Sequence, residues 1–214
     1  MAELYLIRHG KTYGNTLGRY IGTTDEELCE EGREALKRLK AGRDFAAARP
    51  DVVYASPLKR CVQTAEILFP EIPVKLVPDL RECDFGAFEN KNYKELSGNT
   101  AYQAWIDSGG TLPFPGGESR EAFQERCRKG FTEVLEDIRG RGGQTCAALV
   151  VHGGTIMSIL SAYLSPEKSG GGENFYRWQV KNGEGFRVRI QETDKGGIRL
   201  YEISHIGPDS GVSA

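Results

Sequence analysis

Short apolar runs alternate with helix-forming stretches along most of this chain, and that alternation restricts the fold more than any other feature. Residues 4–7, 52–55, 74–77 and 147–151 are such runs, ended by Arg-His, Ser-Pro, Pro and His-Gly respectively. The run at 147–151 contains no polar residue, the pattern of a strand covered on both faces. Helices are expected between the runs. Residues 30–48 are rich in Glu, Ala, Leu, Lys and Arg, with Leu36 and Leu39 on one face and Pro50 as a stop. Ser56-Pro57 reads as the start of a second helix reaching about residue 69. Residues 119–138 place Phe123, Cys127, Phe131, Val134 and Leu135 inward, and residues 155–164 follow Gly153-Gly154. Strands in alternation with helices imply an α/β fold, a three-layer sandwich with a mostly parallel central sheet and helices on both faces. Residues 186–190 and 198–203, around Gly196-Gly197, read as a hairpin that supplies antiparallel edge strands near the C-terminus. Residues 79–117 lack a clear period and read as irregular. With 214 residues, 39% of them hydrophobic, and no Pro- or Ser-rich linker, one domain over 1–214 is expected.

Charge and cysteine usage narrow the function classes. A net charge of −2 gives no bulk attraction for nucleic acid or an anionic membrane. The start, MAELYLIRHG, lacks a secretory pattern, and no apolar run nears the roughly 20 residues of a membrane span. A cytoplasmic protein is therefore expected. The five cysteines, Cys29, Cys61, Cys83, Cys127 and Cys146, form no C-x-x-C pair. Free thiols and no zinc site follow, and neither a metal nor a cofactor is expected.

The polar residues at the strand ends carry the chemistry. Arg8-His9-Gly10 follows the first run and His152-Gly153-Gly154 follows the most apolar one. Ligands of open α/β sheets gather beyond the carboxyl ends of the strands. Two of only three histidines stand there, each followed by a glycine that lets backbone approach a ligand.

The segment LIRHGKTYGN resembles the R-H-G-x-T-x-x-N signature of the histidine phosphatases, the superfamily of phosphoglycerate mutase and its phosphatase relatives. YASPLKRCVQTAEIL, LRECDFGAFEN, PGGES and VVHGGTI resemble further segments of that family in the same order. The resemblance implies that His9 is a nucleophile, that Arg8, Arg60 and His152 grip the phosphate, and that Glu82 donates a proton. Substrate contacts would come from Arg8, Asn15, Thr23, Arg60, His152, Gly153 and Thr155. Asn15 alternatively stabilises a turn, Thr155 alternatively caps a helix, and Thr23 is open in the same way. Phe88, Asn90, Cys29 and Met157 depart from residues frequent in the family, which are Trp, Gly, Thr and Arg.

These residue types suit phosphoryl transfer. A histidine attacks through an unprotonated ring nitrogen. Negative charge spreads over three oxygens in the transition state, and the planar fork of arginine matches it. Arg8 and Arg60 would push the Glu82 pKa down, burial and a bound phosphate dianion would push it up, and its protonation is expected mainly in the complex. The implied activity is a metal-independent phosphatase of a small phosphorylated metabolite, resembling the α-ribazole phosphatase branch. A phosphoglycerate mutase and a non-catalytic binder of a phosphorylated ligand are the alternatives. The short segment between Glu82 and His152 favours hydrolysis over the mutase. Residues 90–117 would form the rim that selects substrate.

Overall fold

The computed structural model describes residues 2–42, 45, 48–142, 144–164, 175–193 and 197–207. Six strands form one sheet: β1 (Ala2–Arg8), β2 (Val52–Ala55), β3 (Val74–Leu76), β4 (Cys146–Val151), β5 (Gly185–Glu192) and β6 (Ile198–Ile206). Their spatial order is β3-β2-β4-β1-β5-β6. The pairs β3–β2, β2–β4 and β4–β1 are parallel, and β1–β5 and β5–β6 are antiparallel. This is the mostly parallel sheet with an antiparallel C-terminal edge that the alternation implied.

Side chains alternate across the sheet with period two, which builds a core on each face. Leu4, Leu6, Ala147, Leu149 and Val151 face the helices α5 (Arg120–Arg141) and α6 (Gly153–Tyr163). Tyr5, Ile7, Ala148 and Val150 face α2 (Glu30–Ala41) and α3 (Lys59–Leu68). Two short helices, α1 (Tyr13–Thr16) and α4 (Thr100–Asp107), lie outside these layers.

Several boundaries differ from expectation for local reasons. α2 ends at Ala41, with Gly42 as its C-cap, rather than continuing to residue 48. Cys29 stands in for the frequent capping threonine, its sulfur accepting from Gly32 N–H at 3.4 Å. α3 begins at Lys59 because the Ser56 hydroxyl is engaged elsewhere, and Asp25 accepts the Lys59 N–H at 2.7 Å from a distant loop. The stretch 79–117 is not wholly irregular. It contains α4, capped by the Asn99 side chain, and two single turns at Pro78–Leu80 and Gly86–Phe88. Asn90 has φ +56°, a left-handed conformation that explains why glycine is frequent there in the family. Among the described residues no helix is long and apolar enough to cross a membrane.

Candidate active site

The register of β1 against β4 pairs Arg8 with Val151, so the next residues, His9 and His152, leave the sheet side by side. Their ring centroids are 5.2 Å apart. His9 donates its Nδ1 proton to its neighbour's carbonyl, Gly10 O, at 2.7 Å. A carbonyl can only accept, so this bond fixes the tautomer and leaves Nε2 with a free lone pair. Burial first, then the charges of Arg60 and Arg8, push the His9 pKa well below its ordinary value. The ring is therefore neutral at physiological pH.

His152 is fully buried and contacts Ser56 Oγ at 2.8 Å through Nε2. Its pKa is lowered by burial, Arg60 and His9. Cys61 lies 3.5 Å from the same nitrogen, and burial pushes its thiol up to about 12, which makes it a packing group rather than a reactive one.

Arg60 is also fully buried, without a carboxylate partner at ion-pair distance among the described residues. It donates to three backbone carbonyls, Thr24 O at 2.7 Å, Gly22 O at 2.8 Å and Ile21 O at 3.3 Å. Arg8 donates to Val180 O at 2.7 Å. The Nε atoms of both arginines are buried without a hydrogen-bond partner. Such orphans are costly unless a ligand takes them. The N-terminus of α6, opened by His152, Gly153 and Gly154, adds its own positive end to the same place.

Glu82 is held from the backbone side. Its Oε1 accepts from Cys83 N–H at 3.0 Å. Arg126, paired with Glu118, donates to the carbonyls of Asp79, Arg81 and Glu82 and so pins the segment that carries it. Burial raises the Glu82 pKa and outweighs the opposing Cys83 N–H, Arg60 and Arg8. The net shift of the Glu82 carboxyl is upward, toward the protonated form. Gly154 admits the carboxyl, since a Cβ there would meet Glu82 Oε1 at 2.7 Å.

Arg8, His9, Asn15, Glu82 and Gly154 line a cavity of about 510 Å³. Arg60 and His152 stand beside it with no exposed surface. Asn15 lines it and also closes a capping box with Thr12, the turn-stabilising alternative. Gly153 packs against the Arg8 side chain. Thr155 is buried in α6, outside the cavity lining, and Thr23 is exposed on the loop that holds Arg60. The structure does not bring these two threonines to the cavity.

Sequence reading missed Asn182. Its Nδ2 donates to His9 O at 3.1 Å, Gly10 O at 3.4 Å and Asn15 Oδ1 at 3.1 Å. The signal was the Asn182-Gly183 pair, a strong turn dipeptide. Also missed were Arg120 and the aromatic residues Tyr20, Phe85, Phe175 and Tyr176, which join Trp105 and Phe114 of the 90–117 segment in the cavity wall. Among the described residues no group of three or more His, Cys, Asp or Glu could hold a metal ion.

A model of the histidine phosphatase superfamily (branch 1) matches residues 4–202. The chain belongs to that superfamily. It is 37% identical over 134 residues to the 2,3-bisphosphoglycerate-dependent phosphoglycerate mutase of Thermobifida fusca, covering 58% of this chain and 53% of that protein. It is 31% identical over 141 residues to the adenosylcobalamin/alpha-ribazole phosphatase of Escherichia coli, covering 63% and 67%. The phosphoserine phosphatase of Entamoeba histolytica, solved with 3-phosphoglyceric acid, superposes with a TM-score of 0.72 at 25% identity over 95% of this chain and 96% of that one. This member of the superfamily thus shares its fold with enzymes of related but distinct names.

Proposed function

We propose that His9 is the nucleophile through which this chain, a phosphoric monoester hydrolase, hydrolyses a small phosphorylated metabolite. The observation that carries the reading is the lock on His9, a neutral ring whose Nδ1–H is committed to Gly10 O and whose Nε2 is free. Nε2 attacks phosphorus, an N–P bond forms, and the P–O bond to the alcohol breaks. Glu82 gives its proton to the departing oxygen, which would otherwise leave as an alkoxide. Water then attacks the phosphohistidine, Glu82 takes a proton from it, and inorganic phosphate leaves with His9 restored. Arg8, Arg60 and His152 stabilise the charge on the three phosphoryl oxygens, with the unpartnered Nε–H donors as the reserve. That positive field supports a reaction without a metal.

Residues 90–117 form the rim that selects the alcohol, through Tyr93, Trp105, Gly110 and Phe114. The aromatic wall makes α-ribazole phosphate one substrate to test. The mechanism is tested by brief exposure to a radiolabelled phosphate ester with chelator present. Acid-labile, base-stable label is expected on the wild type and none on His9→Ala. Label on a serine or cysteine, or activity that a chelator removes and a divalent cation restores, refutes it.

A further inference from the structure

The outer half of the cavity contains a cation that the mechanism above does not use. Arg120 lines the cavity, and its guanidinium lies 4.6 Å from the centroid of the Phe175 ring. Among the described residues it has no carboxylate within ion-pair distance and no hydrogen-bond acceptor. Arg19, also in the lining, differs in having a carboxylate partner, Glu95 at 2.9 Å, and a bond to Asn90 Oδ1 at 3.2 Å, with its Nε left unpartnered. Among the described residues that line the cavity the one acid is Glu82, whose pKa burial raises.

Arg120 is also poorly placed for helix stability. It is the first residue of the 22-residue α5, at the positive end of the helix dipole, where a cation is disfavoured. Its guanidinium carbon lies over the Phe175 ring, an aromatic face that holds a cation without neutralising its charge. A guanidinium without a carboxylate partner among the described residues, in a cavity walled by Trp105, Phe114 and Tyr176, suits an anion.

We propose that Arg120 receives a second anionic group, a carboxylate or phosphate, on the alcohol part of the substrate. This rests on the phosphatase reading of the same cavity. Substrates are then bifunctional, with one phosphate at His9 and a second anion at Arg120. An ester whose alcohol is uncharged ranks below them, and one whose alcohol carries an unbalanced ammonium ranks lowest.

The test uses straight-chain phosphate monoesters of two to six carbons whose far end is a hydroxyl, a carboxylate or a second phosphate. All depart as primary alcohols, so leaving-group differences are small, and varying the length covers the span to Arg120. At one or more lengths an anionic end is expected to raise kcat/KM at least tenfold over the hydroxyl. The carboxylate and phosphate arms identify which anion is favoured. Arg120→Gln and Arg120→Met should abolish the preference, and Arg120→Lys should keep part of it. No preference at any length, or a preference that survives Arg120→Gln, overturns the proposal while the phosphatase reading stands. No turnover of any ester, p-nitrophenyl phosphate included, removes both.

Discussion

At the scale of single residues, the site depends on two buried groups displaced in opposite directions. His9 is held neutral and Glu82 is pushed toward its protonated form, and burial is the leading cause for both. Low dielectric disfavours charge on either, which lowers a base and raises an acid. Both shifts run toward the forms that the proposed roles require, a neutral base and a protonated acid. Glu82→Gln should lower kcat/KM roughly 100-fold on an alkyl phosphate, the usual scale for a general acid. The loss should be much smaller on p-nitrophenyl phosphate, whose leaving group departs without a proton. Equal losses on the two substrates, measured where phosphorylation of His9 limits the rate, would make Glu82 a structural group.

At the scale of elements, the turn before β5 controls the exit of β1. Gly183 N–H donates to Arg8 O at 3.0 Å, and the neighbouring Asn182 side chain reaches His9 O and Gly10 O. Gly10 O is the acceptor that orients the His9 ring, so Asn182 acts on the nucleophile through the backbone. Its loss removes hydrogen bonds worth about 1 kcal/mol each. Asn182→Ala is expected to slow phosphorylation of His9 about tenfold while the inhibition constant of inorganic phosphate changes less than twofold. Rapid-quench labelling beside phosphate inhibition measures the split. An equal fall in both would mean that Asn182 holds the ligand rather than the ring. Similar logic explains α3, whose start is fixed by Asp25 and whose first turn presents Arg60 to the loop carbonyls of residues 21–24.

At the scale of the whole molecule, burying these groups links stability to pH. His9 and His152 both have folded pKa values below the unfolded 6.5. Below pH 6.5 the unfolded chain binds protons that the folded chain refuses, so stability is lost as pH falls from 6.5 toward their folded values. Glu82 has the opposite sign. Its folded pKa lies above 4.5, so its ionisation in the unfolded chain penalises folding above that pH, and the penalty fades as pH falls toward 4.5. Glu82→Gln removes this compensation. Urea unfolding in phosphate-free buffer between pH 6.5 and 5 should therefore show a steeper loss in the variant. The added slope is up to one proton, or about 1.4 kcal/mol per pH unit. Equal slopes would mean that Glu82 is ionised in the folded protein.

The sequence by itself determined the layered fold and the location of the chemistry. The unbroken apolar runs at residues 4–7 and 147–151 mark strands covered on both faces, and those runs end beside His9 and His152, while the assignment of side chains to each helix layer comes from the assembled sheet. Such patterns are local, because a strand's pleat and a turn's glycine act over a few residues. The parallel register that sets Arg8 beside Val151 is not local, nor is the meeting of Asn182 with Gly10 across 172 positions. The balance on Glu82 belongs to the same class. Charge counting near Arg8 and Arg60 points downward and burial points upward, and only the assembled structure decides which is larger. Arg120 likewise stands out only through its neighbours in space, since an arginine at a helix start is unremarkable until the fold sets it over Phe175 with no carboxylate partner among the described residues. Desolvation and pairing depend on every chain segment packed around a group, so tertiary structure alone decided them.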